Sequence, residues 1–209
     1  SKKKFKDFSN NVSQYATDLS NENSIKKNID LIVSKEGVPD VLINCAVGRP
    51  GSENESHNLD SWRKSIDTNI TGTFLLLKNY CDLMKSRKTG SIININSIYG
   101  IVAPNPNLYT GTEVFCEPDY CASKSALLGL TKYFSSIYGQ HGIRTNCISP
   151  GGIFYNQNPD FVARYVRNVP LGRMANFSDL LGTIIMLSSD AGGYITGSNI
   201  VIDGGYTIR

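Results

Sequence analysis

The amino-acid sequence predicts an α/β fold, a doubly wound parallel sheet with helices on both faces. Two observations carry that prediction. Short runs rich in Ile, Val and Leu recur between turn residues, as strands buried on both faces require. Longer segments with an apolar residue every three or four positions lie between those runs. Strand–helix alternation of this kind builds a parallel sheet through right-handed crossovers. The 209 residues, 40% of them hydrophobic and 19% charged, suit one domain spanning 1–209 with a sizeable core.

In chain order, strands are expected at 12–20 (VSQYATDLS), 40–46 (DVLINCA), 90–97 (GSIININS), 142–150 (GIRTNCISP) and 198–205 (SNIVIDGG). Helical spacing covers 20–36, 120–139 and 177–188. It also covers 59–86, where Trp62, Ile66, Ile70, Phe74, Leu77 and Cys81 recur on one stripe. Two segments break the alternation, 98–119 and 151–176, the second with a short helix expected inside it. Both leave the carboxyl ends of predicted strands, where a doubly wound sheet holds its ligands. They are expected to wall a site.

Composition excludes several classes. Net charge is only +3, and the basic run Lys2, Lys3, Lys4 and Lys6 reads as a solvated helix end, so no nucleic-acid partner is expected. No apolar run is long enough to span a bilayer, and the basic N-terminal residues have no apolar stretch behind them, so no secretory signal is read. The five cysteines, Cys45, Cys81, Cys116, Cys121 and Cys147, are odd in number and form no C-x-x-C pair. Cys45 and Cys147 fall in predicted buried strands. That usage suits a reducing, cytoplasmic compartment. With His57 and His141 as the only histidines, both read as surface residues, no metal site is expected.

Tyr120 and Lys124 stand four apart in YCASK, which puts them on one helix face. Chance supplies such a pair easily, so its surroundings decide. Ser97 ends one strand, the NCA run at 44–46 ends another, and the SPGG run at 149–152 ends a third. Asn69 sits inside a long helical segment, where asparagine is a poor helix former.

These motifs together resemble the short-chain dehydrogenase/reductase family over essentially the whole chain. NINSIYG carries Ser97, YCASK carries Tyr120 and Lys124, and NITGT carries Asn69. RTNCISPGGI looks like the family's proline–glycine segment, and ITGSNIVIDGGY its closing strand and turn. ATDLS, with Asp18 and Leu19, resembles the acidic motif beside the adenine. NCAV resembles the asparagine–alanine–glycine motif, with Val47 where glycine is usual and Gly48 one later.

The resemblance implies a Rossmann-like sheet and an NAD or NADP cofactor. It implies a catalytic set of Asn69, Ser97, Tyr120 and Lys124. Cofactor contacts are implied at Asp18, Leu19, Asn44, Ala46, Tyr120, Lys124, Pro150, Gly151, Gly152 and Ile153. The chemistry agrees with these residue types. A carbonyl that receives hydride needs a proton, and free tyrosine, with a pKa of roughly 10, is a poor base near neutrality. A neighbouring ammonium favours the phenolate and lowers such a value by about one to three units. Ser97 would hydrogen-bond the substrate oxygen, and Asn69 would support a water-linked proton path to Lys124.

The family opens with a strand, glycine-rich turn and helix that cradle the pyrophosphate. No such turn precedes Asp18, so the sheet is expected to be N-terminally incomplete, with weak dinucleotide binding by these 209 residues. The choice between NAD and NADP is then not legible. Two other readings share some of the motifs: a non-catalytic scaffold of this fold, and the sugar-nucleotide epimerases and dehydratases. The full set of four catalytic residues and the short stretch after Gly152 favour the dehydrogenase.

The expected substrate is a small molecule, sugar-like, because the two breaks supply Asn105, Asn107, Tyr109, Thr112, Glu113, Tyr155, Asn156, Gln157 and Asn158. Both breaks also look like those of dehydrogenases encoded with bacterial surface-sugar and flagellin-glycosylation pathways. A homo-tetramer or dimer is expected through helices 59–86 and 120–139. Leu75, Leu76 and Leu77, and Leu127, Leu128 and Leu130, put apolar groups on more than one face of each.

Overall fold

The computed structural model describes residues 12–50, 58–112 and 115–209. The basic run at 2–6, His57 and Glu113 lie outside the described residues.

Four parallel strands form one sheet in the order β1 (Val41–Asn44), β2 (Gly90–Ile95), β3 (Ile143–Pro150) and β4 (Asn199–Ile202). Ile92 faces one layer and Ile93 the other, as alternation along a strand requires. On the first face Ile92 and Ile143 pack with Leu77, Cys81 and Met84 of α3 (Gly72–Arg87) and Phe134 of α4 (Pro118–Tyr138). On the second, Ile93 and Ile148 pack with Leu187 of α6 (Leu181–Ser188). Each fully buried Leu or Ile of this kind contributes about 1.5–3 kcal/mol.

Local signals set the helix boundaries. Asn21 caps α1 (Glu22–Glu36), its side-chain oxygen accepting from the Ser24 amide at 3.0 Å. Asn58 does the same for α2 (Leu59–Ile66) through Ser61, and Pro118 and Asp119 open α4. Arg87, in the last turn of α3, holds Asp40 and the Val38 carbonyl, fixing that helix against the entry to β1.

Three expectations need correction. Residues 12–20 form no strand. Their side chains are mostly exposed, and their bonds go to α1: Ser13 and Tyr15 donate to Glu36 at 2.6 and 2.8 Å, and Asn28 donates to the Ala16 carbonyl at 2.8 Å. With few large apolar groups, the segment has nothing to bury on a sheet face. The helix expected over 59–86 is interrupted by a π turn at Asp67–Thr71, between α2 and α3. Cys45 is exposed just past β1, whereas Cys147 is buried in β3 as expected.

The leucines of α3 also serve a different purpose. Leu75 and Leu76 pack beneath α1 with Ile25, Ile29 and Tyr80, and Leu77 faces the sheet. The apolar groups that stay outside on this side are Leu59, Trp62, Phe74, Tyr133 and Ile137. A second cluster, detached from the sheet, lies under α5 (Pro159–Val166). Ile98, Leu108, Tyr165, Val169, Met174 and Tyr206 build it, with Tyr165 and Tyr206 stacked at 4.9 Å. Among the described residues no helix is long and apolar enough to cross a membrane.

Candidate active site

The carboxyl ends of β1, β2 and β3 open into a cavity of about 420 Å3. Ser97, Tyr120 and Lys124 all line it, so the structure brings three of the four predicted catalytic residues together.

Lys124 is the most constrained. It is buried in the second turn of α4, and its Nζ donates to the Ile95 carbonyl at the end of β2, at 2.8 Å. Burial pushes its ammonium down to about 8, because little water remains to solvate the charge. The Tyr120 ring lies one turn earlier, its centroid 5.6 Å from Lys124 Nζ. Ser97 caps a short 3-10 turn at Ile98–Gly100, its Oγ accepting from the Tyr99 amide at 3.2 Å. Its hydroxyl proton is therefore turned away from that bond and can donate to a ligand.

The turn after Ser97 is fitted against α4. A Cβ at Gly100 would stand 2.8 Å from the Lys124 carbonyl oxygen, and Ser125 Oγ donates to the Gly100 carbonyl at 3.2 Å. Only glycine allows this approach. It sets the spacing between Ser97 and the Tyr120–Lys124 face.

Asn69 does not line the main cavity. It sits in the π turn, where one extra residue per turn rotates it out of the α-helical register, a deviation frequent at functional sites. Its Oδ1 accepts from the Gly48 amide at 2.7 Å, and its Nδ2 donates to the Gly48 carbonyl at 2.8 Å and to Ser65 Oγ at 3.0 Å. The side chain thus clamps the loop after β1. Asn69 and Lys124 share a separate recess of about 10 Å3, at the lower limit for one water.

The predicted cofactor residues divide between two hollows. Pro150, Gly151, Gly152 and Ile153 line the main cavity, and Gly152 must be glycine, since a Cβ would stand 2.8 Å from Tyr165 Cζ. Leu19, Asn44 and Ala46 line a neighbouring groove of about 270 Å3 beside β1. Cys45 borders both, so the two adjoin at the sheet edge. Asp18 lines neither. Its carboxylate accepts from the Ser20 amide at 2.9 Å and hydroxyl at 2.7 Å, bonds that hold it below the usual carboxylate range.

A dinucleotide fits this edge. Buried Asn44 Oδ1 and Asn96 Oδ1 both lack a protein partner along it, and a bound polar ligand would relieve such acceptors. Two adjoining hollows along one edge also suit an extended ligand better than a compact one.

The polar residues expected to wall the site behave differently from expectation. Only Tyr109, Gln157 and Asn158 of that set line the cavity among the described residues. Asn105 caps a 3-10 turn through the Asn107 amide, and Thr112 donates to the Tyr109 carbonyl. Gln157 is tied between Ile153 and Tyr155, and Asn158 caps α5. Asn156 adopts a left-handed turn conformation (φ 55°), and the Tyr155 side chain is exposed. These amides mostly hold the loops in shape. The wall itself is aromatic, with Tyr99, Tyr109, Phe161 and Tyr165 in it. Tyr99 and Tyr109 share a hydroxyl–hydroxyl bond at 2.8 Å, and burial pushes Tyr109 up to about 12.

Of that wall the sequence pointed to Tyr109 but not to Tyr99, Phe161 or Tyr165, nor to Asn96 and Arg49. Asn96 donates to Ser149 Oγ at 3.0 Å across the strand ends. Arg49 lies in the cavity with its guanidinium 4.2 Å above the Tyr120 ring centroid, a cation–π stack. Its one signal was position, a charged residue just past a strand end that binds ligands.

Residues 2–207 match the family described as enoyl-(acyl carrier protein) reductase. A short-chain dehydrogenase from Leptospira borgpetersenii with bound NAD+ superposes with a TM-score of 0.86 and 36% identity, over 95% of this chain and 77% of that one. The chain belongs to the short-chain dehydrogenase/reductase family. It is an oxidoreductase of the Rossmann-like fold with an NAD(P) cofactor, and other solved structures of similar fold hold NADH or NADP. Among curated relatives, (+)-borneol dehydrogenase 2 of Salvia officinalis is 31% identical over 208 residues, 91% of this chain and 70% of its own. A sorbose reductase of Candida albicans is 31% identical over 199 residues, 92% and 68% of the respective chains. These two relatives are thus named for a cyclic alcohol and for a sugar.

Proposed function

We propose that this single domain interconverts a compact secondary alcohol and its ketone, of ring or sugar size, with Tyr120 as proton donor and acceptor. The observation that carries this reading is the shared cavity of Ser97, Tyr120 and Lys124 at the end of β2. NAD(P), when bound, supplies or accepts the hydride. Pro150–Ile153 would border its nicotinamide half, together with Tyr120 and Lys124. Leu19, Asn44 and Ala46 would border the adenosine half, next to Asp18, whose Oδ1 holds Ser20.

Each protein group then has one task. Ser97 donates its free hydroxyl proton to the substrate oxygen and stabilises the developing negative charge. Tyr120 hydrogen-bonds the same oxygen and gives or takes the proton. The Lys124 ammonium, fixed on Ile95, favours negative charge on the Tyr120 oxygen. Asn69 positions the Gly48 loop and borders the recess through which one water could relay a proton to Lys124. A sugar ketone stays within the proposed substrate class. The relatives' substrates support it, because the loop amides are mostly engaged in turns.

We also propose a homo-oligomer, built where Leu59, Trp62, Phe74, Tyr133 and Ile137 leave an apolar surface on α2, α3 and α4. Light scattering of the full-length protein should show a dimer or tetramer, and a monomer would contradict it.

The catalytic reading is tested by turnover of the full-length protein on cyclic and sugar-derived alcohols, followed through reduced nicotinamide. Tyr120→Phe should lower kcat about 100-fold or more while leaving the folded spectrum intact. A variant with near-wild-type turnover would remove Tyr120 from the chemistry.

A further inference from the structure

Two thiols meet at the entrance to the helix that carries Tyr120 and Lys124. Cys116 Sγ and Cys121 Sγ stand 3.5 Å apart, both half-buried, and Cys116 lines the cavity. Cys116 precedes the cap residue Glu117, and Cys121 ends the first turn of α4, next to Tyr120. At those two positions an apolar pair commonly staples a helix start and sets the angle at which the chain enters. Little else fixes that angle here. Glu117 makes no side-chain cap bond, and its buried Oε2 has no hydrogen-bond partner. The Tyr120 and Cys121 amides donate to the Glu117 carbonyl over 3.2 and 3.4 Å, long bonds for a helix start. The other cysteines are placed differently: Cys81 and Cys147 are buried, and Cys45 is exposed.

We infer that Cys116 and Cys121 are a modification site, oxidised by hydrogen peroxide to a reversible disulfide that resets the start of α4 and slows the chemistry at Tyr120. The last part rests on the oxidoreductase reading above. Peroxide takes one thiol to a sulfenic acid and releases one water. The second thiol then attacks that sulfur, and a second water leaves as the S–S bond forms. In all, the thiols give up two electrons and two protons, and peroxide accepts them. The sulfurs must close from 3.5 Å to about 2.05 Å, an approach of about 1.5 Å. Cys116 lies outside the helix, so its loop can supply that movement. Peroxide is small enough to reach Cys116 through the cavity. Burial and the neighbouring Cys121 push the Cys116 thiol up, so the pair reacts slowly and stays reduced under mild conditions.

Closing the bond reaches the site from two sides. Cys116 draws in the wall it belongs to, and Cys121 shifts with its neighbour Tyr120. Misplacements near 1 Å cost up to about 100-fold in rate, so the disulfide should cost about tenfold or more. A plain apolar staple is the other role open to the pair, and the two roles separate under oxidant.

The full-length protein is reduced with dithiothreitol, freed of it, exposed to graded peroxide and digested for mass spectrometry. The peptide carrying Cys116 and Cys121 should appear two hydrogens lighter, and dithiothreitol should restore it. Turnover should fall about tenfold in step with that change and recover with it. Cys121→Ser should turn over about as fast as the wild type and resist the same peroxide. A peptide left unchanged, or carried only to a sulfinic acid, would overturn the inference. So would an equal loss of turnover in Cys121→Ser, or a disulfide that leaves turnover untouched. If no alcohol is oxidised at all, the oxidoreductase reading fails, and the peptide mass together with hydrogen exchange at the Tyr120 amide decides the inference. That amide should be better protected in the disulfide form, and unchanged protection would count against it.

Discussion

The catalytic edge and the loop wall face each other across one cavity, yet they are built in opposite ways. At the edge, the functional groups are held by short, specific contacts: Lys124 on Ile95, Ser97 on its turn, Asn69 on the Gly48 loop, and Gly100 pressed against the Lys124 carbonyl. At the wall, two loops wrap a detached cluster, and their amides hold turns, Gln157 and Asn158 doing so while also lining the cavity. Rigid positioning serves chemistry that tolerates little displacement, whereas a loop-built wall can change with the substrate while the edge stays fixed. The contrast implies that small changes at the edge cost turnover, and comparable changes at the wall cost little unless they remove a ring.

Gly100→Ala tests the edge most severely. The added methyl forces the Ser97 turn away from α4, and turnover should fall about 100-fold, as misplacements near 1 Å do. Steady-state kinetics check it, with circular dichroism to confirm the fold. Asn69→Ala comes next. It removes both partners of the Gly48 backbone, and urea unfolding should show a loss of about 1–3 kcal/mol, with slower turnover as the β1 loop loosens.

Lys124 makes a subtler contribution, read through pH. Its folded value is about 8 against an ordinary 10.5, so the unfolded chain binds more protons between those limits. The buried ammonium therefore opposes folding at full strength below about 8, and this cost fades as pH rises toward 10.5. Wild-type stability should gain on that of Lys124→Met across this window. A parallel pair of stability–pH curves would contradict it. The smallest effect is expected at the wall: Asn105→Ala should lose about 0.5–1 kcal/mol with turnover unchanged within about twofold. A large kinetic loss there would erase the distinction between edge and wall.

How legible each region was follows from the same contrast. The edge was readable because buried strands and a helical Tyr–Lys pair leave periodic marks, and Ser97, Tyr120 and Lys124 converge as those marks implied. Asn69 was flagged as a helix misfit, but its π turn was not foreseen, because the extra residue depends on the Gly48 contact across the fold. The wall was misjudged because an amide in a loop looks the same whether it caps a turn or faces a ligand, as Asn105 and Asn158 show. The strand expected over 12–20 failed for a related reason: polar alternation there had no apolar face to bury.

The most direct test of the account is a double-mutant cycle of Ser97→Ala and Tyr120→Phe on turnover of the full-length protein. Both groups are assigned to one substrate oxygen, and residues that act as a unit are strongly non-additive. The account predicts a double variant within about threefold of the slower single variant. Losses that multiply in full would show that the two side chains act independently, and would contradict the shared site.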